Sequence, residues 1–140
     1  MLLRLQPYML SILRIMTGLL FLEHGLNKIF DFPPSPTPRS YVLLTLVPGL
    51  QGLLEAIGGL LITAGLFTRI TAFILAGDMA VAYFWRHAPN NFYPMLNNGD
   101  AAILYCFVFL YLWIAGGGAW SLDRLLRGRS PAPELAASRS

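Results

Sequence analysis

The chain runs through four long apolar blocks, each interrupted by a few polar residues and bounded by proline, glycine or charge. The first block predicts a helix over residues 7–30. Pro7 suits its first turn, and Asp31-Phe32-Pro33-Pro34 ends it. The segment 32–40, FPPSPTPRS, is a loop with no helical prospects. A second helix is predicted over 41–67, with Pro48 and Gly49 kinking it or marking its effective start. Thr68-Arg69 reads as a tight turn, and a third helix follows over 70–85. The stretch 86–98, RHAPNNFYPMLNN, reads as a polar loop; its Phe92 and Tyr93, with Trp85, suit a membrane interface. The fourth helix is predicted over 99–115 and ends at Gly116-Gly117-Gly118. From Trp120 to Arg127 the pattern is that of an amphipathic interfacial turn. The reading is one domain over 1–126 and a disordered cytoplasmic tail over 127–140.

Helical spacing sorts the polar residues into faces. Arg14, Gly18, Phe21, Gly25 and Lys28 share one face of the first helix, with Thr17 and His24 at its edge and Glu23 opposite. Gln51, Glu55, Gly58, Ile62 and Gly65 form a stripe on the second. Thr71, Ile74, Asp78, Ala82 and Trp85 form one on the third, and Asp100, Leu104, Phe107 and Tyr111 one on the fourth.

Composition turns these helices into membrane helices. Hydrophobic residues make up 56% of the 140 and charged residues 12%, where a soluble domain carries about 25% charged. A soluble four-helix bundle with so few charges would be insoluble. A span needs about 20 residues; the first and fourth helices meet this easily, and the other two fit although shorter or interrupted. With four spans both termini lie on one side, which collects Arg4, Arg69, Arg124, Arg127, Arg129 and Arg139 against Lys28, Arg39 and Arg86 on the other. The positive-inside rule places both termini in the cytoplasm. No small-x-small cleavage site follows the first apolar block, so it reads as a retained helix. The net charge of +3 is concentrated near the C-terminal end and gives no basic surface for nucleic acid. The lone Cys106 rules out an internal disulfide or a CxxC pair and reads as a small buried hydrophobe.

Four of the seven acids, Glu23, Glu55, Asp78 and Asp100, fall in or at the ends of membrane helices. Ionised groups left unpaired there cost a few kcal/mol each, so Arg14 and Lys28 are expected to pair across the bundle. Depth matches Lys28 and His24 with Asp100 and Glu55 toward the outside, and Arg14 with Asp78 deeper in. Three roles fit this constellation: polar glue between helices, an outward-opening site for a polar or redox-active molecule such as a quinone head group, or a transport path. In the second, His24 donates to a carbonyl or relays a proton with Glu55 or Asp78. A metal or haem site lacks a second intramembrane histidine.

The pattern Arg14-x3-Gly18-x2-Phe21-x2-His24-Gly25-x2-Lys28 resembles the opening of DoxX-family membrane proteins. Glu55-x2-Gly58-Gly59, Gly65-Leu66-Phe67-Thr68-Arg69, Asn98-Gly99-Asp100 and Ser121-Leu122-Asp123 extend the resemblance over about 10–126. Asp100 stands where the family more often has Glu. The resemblance implies an all-α, four-helix transmembrane bundle in the inner membrane. It also implies an association with quinone-linked oxidoreduction, with other membrane or redox subunits or a homo-oligomer as partners and quinone as the cofactor to consider. Arg14, His24, Lys28, Glu55, Asp78 and Asp100 are the expected pocket residues. A non-enzymatic scaffold and a small-molecule transporter are the rival readings.

Overall fold

A computed structural model describes residues 2–36 and 49–128. Every regular element among them is helical. A 3-10 turn over Leu2–Leu5 leads into α1 (Gln6–Phe30). Then come α2 (Gln51–Ala64), α3 (Thr68–Ala82), a short α4 (Pro94–Asn97), α5 (Asp100–Ala115) and α6 (Leu122–Arg127). A wider π-helical turn, Tyr83–His87, prolongs α3. The four long helices fall where the apolar blocks lie.

The boundaries have local causes. Asp31 leaves α1 in the left-handed conformation and returns its N–H to the Asn27 carbonyl. Gly65, at φ 69°, ends α2; the N–H groups of Gly65 and Leu66 then reach back to Ile62 and Leu61. This is the Schellman arrangement, which favours glycine because the left-handed backbone strains other residues. The tight turn expected at Thr68-Arg69 is therefore Gly65-Leu66-Phe67, and Thr68 already begins α3. The polar stretch expected as loop over 86–98 contains the last residues of the π turn and all of α4. The expected helix over 41–48 and the tail from 129 onward lie outside the described residues.

Helix α1 packs principally on α2, α3 on α5, and α2 on α3. Phe21, Ile62, Leu75, Phe109 and Leu112 form the core between them. The α1–α2 crossing is backbone-close. A Cβ on Gly59 would sit 2.5 Å from the Leu22 nitrogen, and one on Gly25 would run into the Ala56 backbone. Small residues at such a crossing let dispersion act between main chains, which is how helices adhere in lipid.

The predicted faces of α1 and α2 are the buried ones. The predicted face of α5 is corrected: Leu104, Phe107 and Tyr111 are exposed, while Ala102, Phe109 and Leu112 are buried. Helix α5 is apolar all round, so nothing in its pattern marked an inner side. On α3 the buried set is Thr71, Leu75 and Met79, with Ile74 and Trp85 exposed.

The outward surface of the bundle is apolar. Met16, Leu20, Ile57, Leu60, Phe73 and Ile114 are each about half exposed or more. Only a lipid environment solvates such a surface without association. Leu3–Phe30, 28 residues, is the one described helix long and apolar enough to cross a membrane. The expectation that the fourth helix spans easily is corrected. Gly99 and Gly116 confine α5 to 16 residues, about 24 Å of rise against roughly 30 Å of hydrocarbon.

Candidate functional site

The polar residues separate into two groups at opposite ends of the bundle. At one end lies Arg14, completely buried. Its Nε donates to the Gly117 carbonyl at 2.8 Å, and Nη2 donates to the Trp120 carbonyl at 2.6 Å. Nη1 donates to the Ile62 carbonyl at 2.5 Å and also to that of Thr63. Ile62 and Thr63 belong to the last turn of α2, where carbonyls lack helical partners and the helix dipole is negative. The planar guanidinium thus caps α2 and ties it to the glycine loop after α5. Its expected pairing with Asp78 does not occur; the carboxylate within its electrostatic reach is Asp123. Four backbone acceptors took the place of one acid, and backbone acceptors leave no mark in a sequence.

Asp123 completes this end. Its Oδ1 accepts the Phe67 N–H at 2.7 Å and its Oδ2 the Thr68 N–H at 2.8 Å. The Asp123 N–H returns to the Gly65 carbonyl at 2.9 Å. One carboxylate from α6 therefore caps the start of α3 across 55 residues of sequence. Burial pushes the Asp123 carboxyl up, but the hydrogen bonds from Thr68 and Phe67 and the charge of Arg127 hold it below the ordinary 3.8. A depressed carboxyl stabilises the fold above its unfolded value and loses that contribution as pH falls through the folded value. Stability in detergent is accordingly expected to fall on acidification below about pH 4. Asp123→Asn should remove part of that slope and cost on the order of 1 kcal/mol at neutral pH. Melting the two proteins across pH 3–7 checks this.

At the other end Lys28 Nζ donates to Glu55 Oε1 at 2.5 Å, the one salt bridge among the described residues. The Glu55 side chain is 3% exposed and its Oε2 has no hydrogen-bond partner among the described residues. Both residues line a cleft of about 500 Å³, together with His24, Gln51, Arg86, His87, Asn97 and Tyr105. The ring of His24 is exposed to this cleft and packs at right angles to Tyr105, centroids 6.0 Å apart. His87, read from sequence as a loop residue, stands in the cleft wall with Nδ1 2.9 Å from the Asn97 carbonyl. Asn97 is buried, donates to Asn91 O and accepts the Gly99 N–H at the start of α5. Arg86, His87, Asn97 and Tyr105 escaped the sequence reading because their segment looked like an unstructured loop and their helix face was ambiguous.

Lys28 was expected to meet Asp100 as well. Asp100 instead is exposed at the first position of α5, favourably placed against that helix's positive end, and makes no ion pair among the described residues. Asp78 lies in an adjoining cleft of about 510 Å³ with Leu50, Leu54, Val81 and Trp85, its Oδ2 without a partner among the described residues. The two clefts share Gln51, Ala82 and Arg86. Of the six expected pocket residues the structure therefore brings together His24, Lys28 and Glu55, sets Asp78 next door, and leaves Arg14 and Asp100 elsewhere. Among the described residues no three metal-ligating side chains converge.

An all-helical bundle with an apolar exterior, and polar groups gathered at its two ends, defines an integral membrane protein. The DoxX family profile matches residues 9–88, and the chain belongs to that family. A Haemophilus influenzae protein described as uncharacterised is 40% identical over 121 residues, covering 84% of this chain and 90% of its own length. The Escherichia coli inner membrane protein YqjF is 34% identical over 129 residues, 88% of this chain and 95% of its own. The Mycobacterium tuberculosis membrane protein Rv3486 is 31% identical over 137 residues, 86% and 82% respectively. No solved structure matches the chain.

Proposed function

We propose that the chain is a four-span inner-membrane protein, both termini cytoplasmic, that binds a quinone-type molecule in the cleft at the Lys28 end. It would act there as a subunit of a redox-linked membrane complex. The carrying observation is Glu55, buried at that cleft with one oxygen fixed by Lys28 and the other lacking a donor among the described residues. A buried acceptor without a donor costs about 1–3 kcal/mol, and a ligand hydroxyl would relieve it. Lys28 and the His24 ring supply donors for a ring carbonyl. The neighbouring cleft, walled by Leu50, Leu54, Val81 and Trp85, offers an apolar bed for a tail. Such a pairing of apolar walls with a few placed polar groups is the usual form of a small-molecule site. The relatives' membrane names support the location. The chain itself would contribute binding and a proton acceptor, with electrons exchanged through a partner subunit.

Titration of the purified protein with a short-chain ubiquinone, followed by tryptophan fluorescence, tests this reading. Saturable binding is expected, weakened roughly tenfold in His24→Ala, the loss of about 1.4 kcal/mol. Equal binding by wild type and variant would overturn it.

A further inference from the structure

The Arg14 end carries a cleft of its own, about 300 Å³, unconnected with the proposed quinone site. Arg69, Arg124 and Arg127 line it, together with Pro7, Ser121, Asp123 and the glycine loop Gly116–Gly118. The arginines come from two separate elements, the start of α3 and the whole of α6, so the fold and not sequence proximity gathers them. Arg69 is held in place: its Nη1 donates to the Trp113 carbonyl at 3.2 Å, and its guanidinium lies over Gly116. The one acid in the lining, Asp123, already has both oxygens occupied by the Phe67 and Thr68 N–H groups. The cleft is thus a concave surface where three cations face one anion, an excess of two positive charges.

The surroundings fix its depth in a bilayer. Tyr8 and Trp120 pack edge to face at 5.6 Å, and both are about half exposed; Trp113 is 42% exposed nearby. Half-exposed tryptophan and tyrosine mark the headgroup level of a membrane. Helix α6 adds a second marker. Leu122, Leu125 and Leu126 are exposed on it, while Arg124 and Arg127 line the cleft. A short helix with exposed leucines and arginines lies in the interface plane, its leucines toward the acyl chains. Guanidinium groups held at that level meet lipid phosphates directly and match their oxygens two at a time.

We propose that this cleft binds the headgroup of an anionic phospholipid, with Arg69, Arg124 and Arg127 holding its phosphate. The lipid would fasten α6 and the glycine loop to the bundle from the membrane side. The site differs from general attraction of basic loops to a charged leaflet, because it is concave and takes a fixed number of lipids.

The test uses full-length protein in a non-ionic detergent, with native mass spectrometry as the readout. Dioleoylphosphatidylglycerol is added against dioleoylphosphatidylcholine at equal concentration. One tightly retained phosphatidylglycerol per chain is expected, preferred at least tenfold over phosphatidylcholine. Arg69→Gln/Arg124→Gln/Arg127→Gln should abolish that preference. Should this variant lose its helical circular dichroism, Arg124→Gln/Arg127→Gln, which spares the Trp113 contact, carries the test with at least a threefold loss expected. Equal retention of the two lipids by wild type, or unchanged preference in a folded variant, would overturn the proposal. Displacement of the lipid by 10 mM inorganic phosphate would also overturn it, since the cleft would then be a site for a soluble anion.

Discussion

Replacing Arg14 by Met is expected to be the most damaging single change in the chain, costing on the order of 3–6 kcal/mol. The side chain is completely buried and donates to four carbonyls, of which that of Ile62 also accepts the Gly65 N–H. Each carbonyl left unpaired in a site closed to water costs roughly 1–3 kcal/mol, and local relaxation recovers part of the total. Lysine does not rescue. An ammonium presents its donors from one point, whereas Ile62, Thr63, Gly117 and Trp120 surround a planar fork. Denaturant or thermal unfolding in detergent should therefore rank wild type well above Arg14→Lys, and Arg14→Lys at or slightly above Arg14→Met. Quinone binding per folded molecule should be unchanged in both, because Arg14 lies at the other end of the bundle.

Glu55→Gln is expected to act in the opposite proportion, weakening quinone binding about tenfold or more while costing about 1–3 kcal/mol of stability. The amide leaves the ammonium of Lys28 without its counter-charge. Breaking a buried pair is expensive, though the Lys28 side chain is 16% exposed and can turn toward the cleft, which moderates the loss. Removing both charges in Lys28→Met/Glu55→Leu should restore stability to within about 1 kcal/mol of wild type, since neither charge is then left alone. It should not restore binding, because the acceptor at Oε2 and the ammonium donor are both gone. A double-mutant cycle read by unfolding and by quinone titration separates the structural and ligand-binding parts of the pair.

The helices themselves were legible because their blocks are long, apolar and closed by Pro or Gly. So were the inner faces of α1 and α2, where Arg14, Gly18, Glu55 and Gly58 mark one side unambiguously. The face of α5 was not, since a helix apolar all round carries no phase. Depth and charge placed Glu55 beside Asp100 as a partner of Lys28, and only the Glu55 pair forms. The seat of Arg14 did not, because its partners are main-chain carbonyls of a helix end and a glycine loop. Asp123 was hidden for a related reason: its work is to cap α3, far away in sequence, through two backbone N–H groups. Asp100 looked like a pocket acid from its position at the mouth, yet at the first turn of α5 it is exposed, is absent from the cleft lining and is placed to serve the helix end.

The polar residues divide into a structural clasp around Arg14 and Asp123 and a proposed ligand cleft around Glu55, Lys28 and His24. Photolabelling of membranes with an azido-ubiquinone, followed by peptide mapping, tests that division most directly. Adducts are expected on the cleft walls, at His24, Tyr105 and the 82–87 segment, suppressed by excess unlabelled ubiquinone. Labelling confined to the exposed apolar faces and insensitive to competitor would contradict it.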